Sequence, residues 1–276
     1  IRMINEAIDE KSPYTGGHCQ RVPMLTMLLA EAVNDTNDGP LADFAMTDKD
    51  RYELRIAGLL HDCGKITTPV HVVDKATKLE TIYDRIHLID TRFEVLKRDA
   101  EIDALNRKLD LARTAGVDEI TRRERIYQID EELRDTVRQI EEDGTFLRRC
   151  NIGSESMSKD DQERVQQIGL MYKWRDPLGN TANFLTDDEL KNLTIQRGTL
   201  TQEEREIINH HIVSTINMLE ALPWPKHLRN VPEYAGGHHE RMDGKGYPKG
   251  LTRAQMSVQA RIMGIADIFE ALTARD

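Results

Sequence analysis

The sequence lacks several features that would each define a class of protein. No apolar run approaches the roughly 18 residues that a membrane-spanning helix needs, and the first residues lack the basic-then-apolar order of a signal peptide. The three cysteines, Cys19, Cys63 and Cys150, form no CxxC pair and cannot all pair with one another, which argues against a disulfide framework and a zinc-thiolate site. We therefore expect a cytoplasmic domain, which leaves room for a membrane anchor elsewhere in a full-length protein.

Positive charge is also in the minority. The chain has 38 Lys and Arg against 48 Asp and Glu, a net charge of -10. Because nucleic-acid backbones are held mainly by clustered Lys and Arg, we expect no surface for duplex DNA or RNA. With 276 residues, of which 39% are hydrophobic, the chain is long enough for one large or two modest domains. Both ends fall within helical patterns, so we expect a longer parent protein with an upstream sensor or regulatory domain.

Strand-type alternation and the phosphate loops GxGxxG and GxxxxGK[ST] are missing as well. Helical spacing dominates instead. Between Tyr52 and Cys63, apolar residues recur every three or four positions, which predicts a helix that Gly64 can end. His61 and Asp62 then lie at the C-terminal end of that helix. The sequence predicts an all-α fold.

Residues 82–143 have a different character. Apolar residues alternate steps of four and three in two stripes, and the turn sequence RTAGVDE lies between them. This pattern predicts an antiparallel helical hairpin, inserted into a domain formed by residues 1–81 and 200–276 and followed by a connector with short helices at 144–199. The hairpin would pack against the domain or form a homodimer. The stripes are Ile82, Ile86, Ile89, Phe93, Leu96 and Ala100, and Ile126, Ile129, Leu133, Val137 and Ile140.

Histidines and aspartates occur where a helical core should be apolar. Imidazole and carboxylate groups are typical ligands of Mn, Fe and Zn, and an ionised Asp267 among Ile and Phe side chains is costly unless it is paired or bound to metal. A lone histidine is more often a core residue than a ligand, but HD followed by GK, together with an HH pair before a Gly-rich loop, seldom occurs by chance. The candidate metal ligands are His18, His61, Asp62, His211, His238, His239 and Asp267.

The stretches HDCGK at 61–65 and HHERMDGKGYP at 238–248 resemble the HD-GYP family, a bacterial branch of the metal-dependent HD-domain phosphohydrolases. The stretches TGGHCQRV and ARIMGIADIFEALT resemble its flanking segments, and the likeness covers positions 12–75 and 200–276. It implies an HD-domain helical bundle that hydrolyses a cyclic dinucleotide, usually cyclic di-GMP and in some cases cyclic GMP-AMP, at an iron or manganese centre. The hairpin lies outside the common family core.

By this resemblance, Asp62 bridges two divalent ions and acts in catalysis. His18, His61 and Asp267 would complete the shell of one ion, and His211, His238 and His239 that of the other. His211 fits the family spacing better than His210. Lys65 would contact the scissile phosphate as a second catalytic residue. Some family members hold a third ion with a Glu four residues before the first histidine, where this chain has Tyr14, so we expect a dinuclear site.

The loop DGKGYP admits two interpretations. Asp243, Gly244, Gly246, Tyr247 and Pro248 suit a rigid turn that holds His238 and His239, with glycines that permit positive φ. The resemblance also links this loop to partner proteins with diguanylate cyclase domains. Three cations are candidate substrate contacts beside Lys65, although each could equally be a solvated surface charge: Arg241, Lys245 and Arg275.

Two other functions remain open at this point. One is a cyclic dinucleotide receptor with a weak or silent metal site, which signals through the hairpin. The other is an HD hydrolase of mononucleotides, against which the HHE and DGKGYP elements argue. The intact set of candidate ligands favours the phosphodiesterase, because a receptor would be free to lose some of them.

Overall fold

The computed structural model describes residues 2–11, 17–175 and 178–274. Helices dominate these residues, so the predicted all-α class is confirmed. None of the helices is long and apolar enough to cross a membrane among the residues described. In chain order the elements are α1 (Arg2–Lys11), α2 (His18–Asn34), α3 (Asp48–Leu60), α4 (Val70–Val73), α5 (Ile86–Arg113), α6 (Glu119–Asn151), α7 (Lys159–Met171), β1 (Lys173–Arg175), β2 (Thr181–Asn183), α8 (Asp187–Leu193), α9 (Gln202–Asn209), α10 (His211–Glu220), α11 (Val231–Gly236) and α12 (Val258–Thr273).

The chain divides into two compact units. Unit 1 comprises residues 1–74 and 202–276, and unit 2 comprises residues 75–201. Each unit has its own apolar core. The candidate metal ligands all belong to unit 1.

The core of unit 1 lies between α2, α3, α10, α11 and α12. Leu54, Ala57 and Leu60 of α3 have at most 1% of their surface exposed, and Met263 of α12 has none. A capping box of Thr47 and Asp50 begins α3, which satisfies backbone donors that the first turn would otherwise leave free. This packing fixes the helix ends on which the candidate ligands lie.

Unit 2 contains a long helical hairpin, formed by α5 and α6. A turn at Gly116, whose φ is 82°, joins the two helices within the RTAGVDE sequence. Ile82, 97% exposed, precedes α5 and takes no part in the apolar stripe to which the sequence assigned it. At the other end, α6 continues past residue 143 to Asn151 because its apolar spacing continues through Leu147 and Cys150, both buried.

The segment after the hairpin is part of the same core. Val165 and Ile168 of α7 and Phe184 and Leu185 after β2 pack with the base of the hairpin. The unit also contains a two-stranded antiparallel sheet that pairs Trp174 with Ala182. The sequence analysis found no strand here, because three-residue strands are too short to show alternation.

Candidate metal centre

Helix ends carry six of the seven candidate ligands. His18 and His211 are the first residues of α2 and α10, His61 and Asp62 follow α3, and His238 and His239 follow α11 after Gly237. Only Asp267 lies inside a helix, α12. Since a chain that leaves a helix can point neighbouring side chains in one direction, the adjacent pairs His61–Asp62 and His238–His239 both reach the same region.

One group of ligand atoms comes from four residues. The ligand atoms of His18, His61, Asp62 and Asp267 lie within 4.8 Å of one another. The His18 Nε2 atom is 3.1 Å from an oxygen of Asp62 and 3.1 Å from one of Asp267. His61 Nε2 is 3.2 Å from Asp62 Oδ2 and 3.6 Å from Asp267 Oδ1. We call this group cluster A.

Three histidines form a second group, cluster B. The ligand atoms of His211, His238 and His239 also lie within 4.8 Å of one another. The Nε2 atoms of His239 and His211 are 3.1 Å apart. His211 is 4% exposed, whereas its neighbour His210 is an exposed residue. The structure thus places His211 rather than His210 in the cluster.

Asp62 touches both clusters. Its Oδ2 atom faces His18 and His61 of cluster A, while its Oδ1 atom lies 3.2 Å from His211 Nε2 and 4.0 Å from His238 Nε2 of cluster B. The carboxylate is 2% exposed. One side chain therefore presents one oxygen to each group, which is the arrangement that a bridging carboxylate requires.

Backbone carbonyls fix the orientation of three imidazoles. The Nδ1 atoms of His61, His211 and His238 donate to the carbonyl oxygens of Gly58, Ile208 and Ala235, each three residues earlier, at 2.8, 2.5 and 2.6 Å. A proton held at Nδ1 leaves the Nε2 lone pair free to bind a metal. The three Nε2 atoms all point into the clusters.

Buried polar atoms without partners occur at the same place. Asp62 Oδ1 and His238 Nε2 are inaccessible to solvent and make no hydrogen bond of acceptable geometry in the described part of the chain. A buried acceptor without a donor is costly in free energy. Bound cations would satisfy both atoms, so these residues fit divalent transition-metal ions, for which imidazole and carboxylate are suitable ligands.

The electrostatics differ between the clusters. Burial lowers the pKa of His18 and His61, but their contacts with Asp62 and Asp267 outweigh burial and raise these pKa values to about 10 and about 9. In cluster B, burial lowers the pKa of His238 well below its usual value, and burial together with the nearby His211 lowers the pKa of His239 to about 4. Cluster A thus attracts positive charge, and two imidazoles of cluster B stay neutral, as metal ligands must.

Glu270 is a functional candidate that the sequence analysis missed. It is 3% exposed, its Oε2 atom lies 2.5 Å from His18 Nδ1, and its Oε1 atom accepts from Arg21 Nε. A carboxylate on the far nitrogen of a ligating histidine orients the ring and makes it more basic. Its position three residues after Asp267, on the same face of α12, is the sequence signal that would have revealed it.

Two glycines have roles other than those predicted. Gly64 does not end α3, which ends at Leu60. Its N–H donates to Thr215 Oγ1 of α10, and a Cβ at this position would lie 2.0 Å from the carbonyl oxygen of His211. Gly246 does not adopt positive φ, and a Cβ there would lie 2.2 Å from the backbone nitrogen of Arg241. Both glycines allow close backbone approach.

The DGKGYP loop packs on cluster B. Asp243 Oδ1 accepts from the backbone N–H of Lys245, and Gly244 has a φ of 77°. The Tyr247 ring stacks on His239 with centroids 4.8 Å apart, and Pro248 follows through a cis peptide bond. Glu240 accepts from the backbone N–H groups of Lys249 and Leu251, both at 2.7 Å. These contacts anchor the loop on His239 and Glu240.

The candidate substrate contacts Lys65, Arg241 and Lys245 differ in how exposed their side chains are and in whether they lie near the clusters. Lys65 Nζ is 2.7 Å from Asp62 Oδ2, with 20% of the side chain exposed. Arg241 pairs with Asp243 at 2.9 Å and is 64% exposed, and Lys245 is also exposed. Arg275 and Tyr14 lie outside the described residues. The three cysteines are buried and form no disulfide among the described residues, and burial raises the pKa of Cys63, next to Asp62, to about 11.

Comparison with known proteins agrees with this geometry. Two family profiles, both described as the HD domain, match residues 15–137 and 185–276. The 3'3'-cGAMP-specific phosphodiesterase 1 of Vibrio cholerae is 58% identical over 43 residues, which are 16% of this chain and 10% of that protein. The cyclic di-GMP phosphodiesterase of Thermotoga maritima is 27% identical over 143 residues, or 47% of this chain and 39% of that protein. The 3'3'-cGAMP-specific phosphodiesterase 3 of Vibrio cholerae is 36% identical over 77 residues, or 28% of this chain and 16% of that protein.

The chain therefore belongs to the HD-domain family. These relatives also confirm the resemblance to its HD-GYP branch. The matched segments span between 10% and 39% of the length of the three relatives.

Proposed function

We propose that this chain is the catalytic domain of a cyclic dinucleotide phosphodiesterase. The observation that carries the proposal is the position of Asp62, which presents one oxygen to cluster A and the other to cluster B. The names of the relatives support the substrate class. Cyclic di-GMP is the first substrate to test, and cyclic GMP-AMP is the second.

Clusters A and B would hold two divalent ions, with iron or manganese as the candidates. Asp62 would serve both ions, His18, His61 and Asp267 the first, and His211, His238 and His239 the second. When bound, such ions supply a nucleophile from water near neutral pH and neutralise charge on a phosphoryl group.

Lys65 has a separate role in this proposal. Its ammonium group lies at the exposed edge of the centre, 2.7 Å from Asp62. Contact with Asp62 outweighs burial and raises the pKa of Lys65, so the group stays charged. A lysine side chain is long enough to exchange this carboxylate for a non-bridging oxygen of the substrate phosphate. Arg241, Lys245 and Arg275 are proposed as contacts to the rest of the nucleotide.

The test is to load protein purified without oxygen with iron or manganese and to incubate it with both cyclic dinucleotides. We expect linear dinucleotide or mononucleotide products on chromatography, and none from Asp62→Ala. Nucleotide that binds to the loaded protein and stays intact would contradict the proposal and identify a receptor. Turnover of mononucleotides alone would assign the chain to the other HD hydrolases.

A further inference from the structure

The outer face of α5 carries an apolar stripe of its own. Leu88, Val95, Ile102 and Leu109 follow one another at seven-residue spacing and are 44%, 37%, 54% and 46% exposed, and Leu105 between the last two is 63% exposed. Scattered exposed apolar residues are ordinary, but a continuous row of them marks an interaction surface. We call these five residues the outer stripe.

The outer stripe is distinct from the stripe that closes the hairpin. The residues of α5 that are buried against the rest of unit 2 include Ile86, Phe93, Ala104 and Leu111. At about 100° per residue, they lie on the opposite side of the helix from the outer stripe. The outer stripe extends over about 32 Å, at about 1.5 Å per residue. A strict seven-residue repeat is the pattern by which one helix packs along another.

We propose that the outer stripe is a homodimer interface, in which α5 packs antiparallel against α5 of a second copy of this chain. The proposal is independent of the catalytic function, because the outer stripe lies in unit 2 and the candidate metal ligands lie in unit 1. It uses a surface other than the one that joins α5 to α6.

Charge along the outer stripe selects the antiparallel orientation. If Leu88, Val95, Ile102 and Leu109 take the first position of each heptad, Arg98 takes a second core position. A parallel pair would then place Arg98 against its own copy. It would also place Glu94 against Asp99 and Lys108 against Arg113 of the second copy, so that with Arg98 there would be three kinds of like-charge contact.

The antiparallel pair has fewer such conflicts. With Val95 of one copy facing Leu105 of the other, Glu94 lies opposite Lys108 at both ends of the interface, and Arg98 faces Ile102 instead of a second arginine. Like charges still meet at the centre, where Asp99 and Glu101 each approach their own copy, but Glu101 is paired with Arg98 of its own helix at 3.2 Å. Glu94 and Lys108 are 55% and 27% exposed in the single chain, where they pair with Lys97 and Asp130. Both charges can therefore contact a second helix.

The oligomeric state of the 276-residue chain tests the proposal. Sedimentation over a range of concentrations should show a monomer–dimer equilibrium. Ile102→Lys should raise the dissociation constant by about a hundredfold or more, because each dimer loses two buried apolar side chains and places two ammonium groups against the two Arg98 side chains. The matched control is Ile120→Lys, at a site that is 72% exposed in the first turn of α6.

The control should dimerise as the unaltered chain does. Circular dichroism should show equal helix content in all three proteins, since neither site is buried. An unaltered chain that stays monomeric at every concentration, or a dimer that Ile102→Lys leaves intact, would overturn the proposal. So would equal weakening by both substitutions.

Cysteine cross-linking tests the orientation. In the antiparallel pair, Val95 lies opposite Leu105 of the second copy, so the double variant Val95→Cys/Leu105→Cys should form a disulfide-linked dimer. Val95→Cys alone should not, because its two copies would lie about 15 Å apart along the helix axis. Efficient cross-linking of the single variant would show a parallel pair and contradict the proposed orientation.

Discussion

At the scale of single residues, the candidate centre depends on where each imidazole holds its proton. His61, His211 and His238 donate from Nδ1 to carbonyl groups three residues earlier, at the ends of α3, α9 and α11, so local backbone geometry sets the direction of each Nε2 lone pair. The centre is therefore organised by backbone geometry before any ion binds.

Asp62 and Asp267 make a matched pair for testing metal binding. Asp62 contacts both clusters, whereas the short ion pairs of Asp267 are with His18 and His61 of cluster A. We expect Asp62→Ala to lose both ions and Asp267→Ala to retain the ion at cluster B, as measured by elemental analysis of protein purified without oxygen. Retention of two ions by Asp62→Ala would rule out a bridging role. About three ions in the unaltered protein would rule out a dinuclear site.

Glu270 offers a second test at this scale. Glu270→Gln removes the negative charge behind His18 Nδ1 but keeps the side-chain shape, so we expect metal affinity to fall by about 10-fold to 100-fold. Competition with a chelator measures this change. Arg21→Met is the control, because it removes the other partner of Glu270 and leaves the contact with His18 in place. An equal loss in both variants would show that the ion pair, and not the carboxylate behind His18, controls affinity.

The sequence predicted the candidate ligands but not the residues that support them. His61 with Asp62 and His238 with His239 stand out because such groups are costly in an apolar context, and the structure gathers all seven candidates. That they hold metal stays a prediction. Glu270 was missed because a glutamate on a helix is usually a solvated charge. The roles of Gly64 and Gly246 depend on backbone from other segments, which no local pattern contains.

At the scale of elements, a buried ion pair joins α5 to α8 inside unit 2. The guanidinium of Arg92 contacts both carboxylate oxygens of Glu189, and their side chains are 10% and 4% exposed. Glu189 also closes the capping box that begins α8. A buried charge whose partner is removed is strongly destabilising, whereas apolar replacement of both partners is often neutral.

Arg92→Met should therefore lower the free energy of unfolding of unit 2 by about 3 to 5 kcal/mol. The double variant Arg92→Met/Glu189→Met should recover most of that loss. Fluorescence of Trp174 during urea unfolding reports on this unit, because its ring lies 5.7 Å from the Arg92 guanidinium. Trp224 belongs to unit 1 and would be replaced by Phe in all variants. Equal stability of the single and double variants would mean that the lost contacts of Arg92, rather than the unpaired Glu189, account for the cost.

The same pair predicts a dependence of stability on pH. Burial alone would raise the pKa of Glu189, but hydrogen bonds from Arg92 and Thr186 outweigh it and lower the pKa. A group with a lowered pKa in the folded state stabilises the fold above its unfolded pKa, about 4.3, and this contribution is lost as the pH falls through the folded pKa. Between pH 6 and pH 3, about the range of carboxylate titration, the unaltered chain should therefore lose more stability than the double variant. Parallel pH profiles would contradict this attribution.

The limits of prediction at this scale follow from tertiary packing. The heptad stripes identified both helices of the hairpin and the turn between them. They did not show that α6 continues to Asn151, because Leu147 and Cys150 are buried in a core that also draws residues from α7 and from the segment after β2. The pairing of β1 with β2 could not be predicted from hydrophobic periodicity either, because three residues are too few to show alternation.

At the scale of the whole molecule, the division into units determines what can be removed. Residues 82–143 were predicted to be a separable insertion. In the structure, Ile86, Phe93 and Ile140 share one core with Leu79, Val165 and Phe184, which lie outside that range. Removing residues 82–143 alone would therefore take Ile86, Ile89, Phe93 and Ile140 out of this core and leave its other members without these neighbours. The compact unit that contains the whole of this core comprises residues 75–201.

We predict that replacing residues 75–201 with a short Gly/Ser linker leaves a folded unit 1 that binds the same number of ions as the unaltered chain. A short linker is sufficient because α4, which ends at Val73, packs against α9, which begins at Gln202, so the two junctions lie close together in unit 1. Circular dichroism, elemental analysis and turnover of cyclic dinucleotide measure the result. The matched control replaces residues 82–143 only, and we expect it to aggregate because Phe184 loses its contact with Phe93 and the rest of the core of unit 2 loses four buried apolar side chains. A shortened unit 1 that fails to fold would show that the two units depend on each other. One that folds and binds its ions but cannot hydrolyse the substrate would show that unit 2 takes part in substrate binding, in addition to the dimer contact proposed for α5.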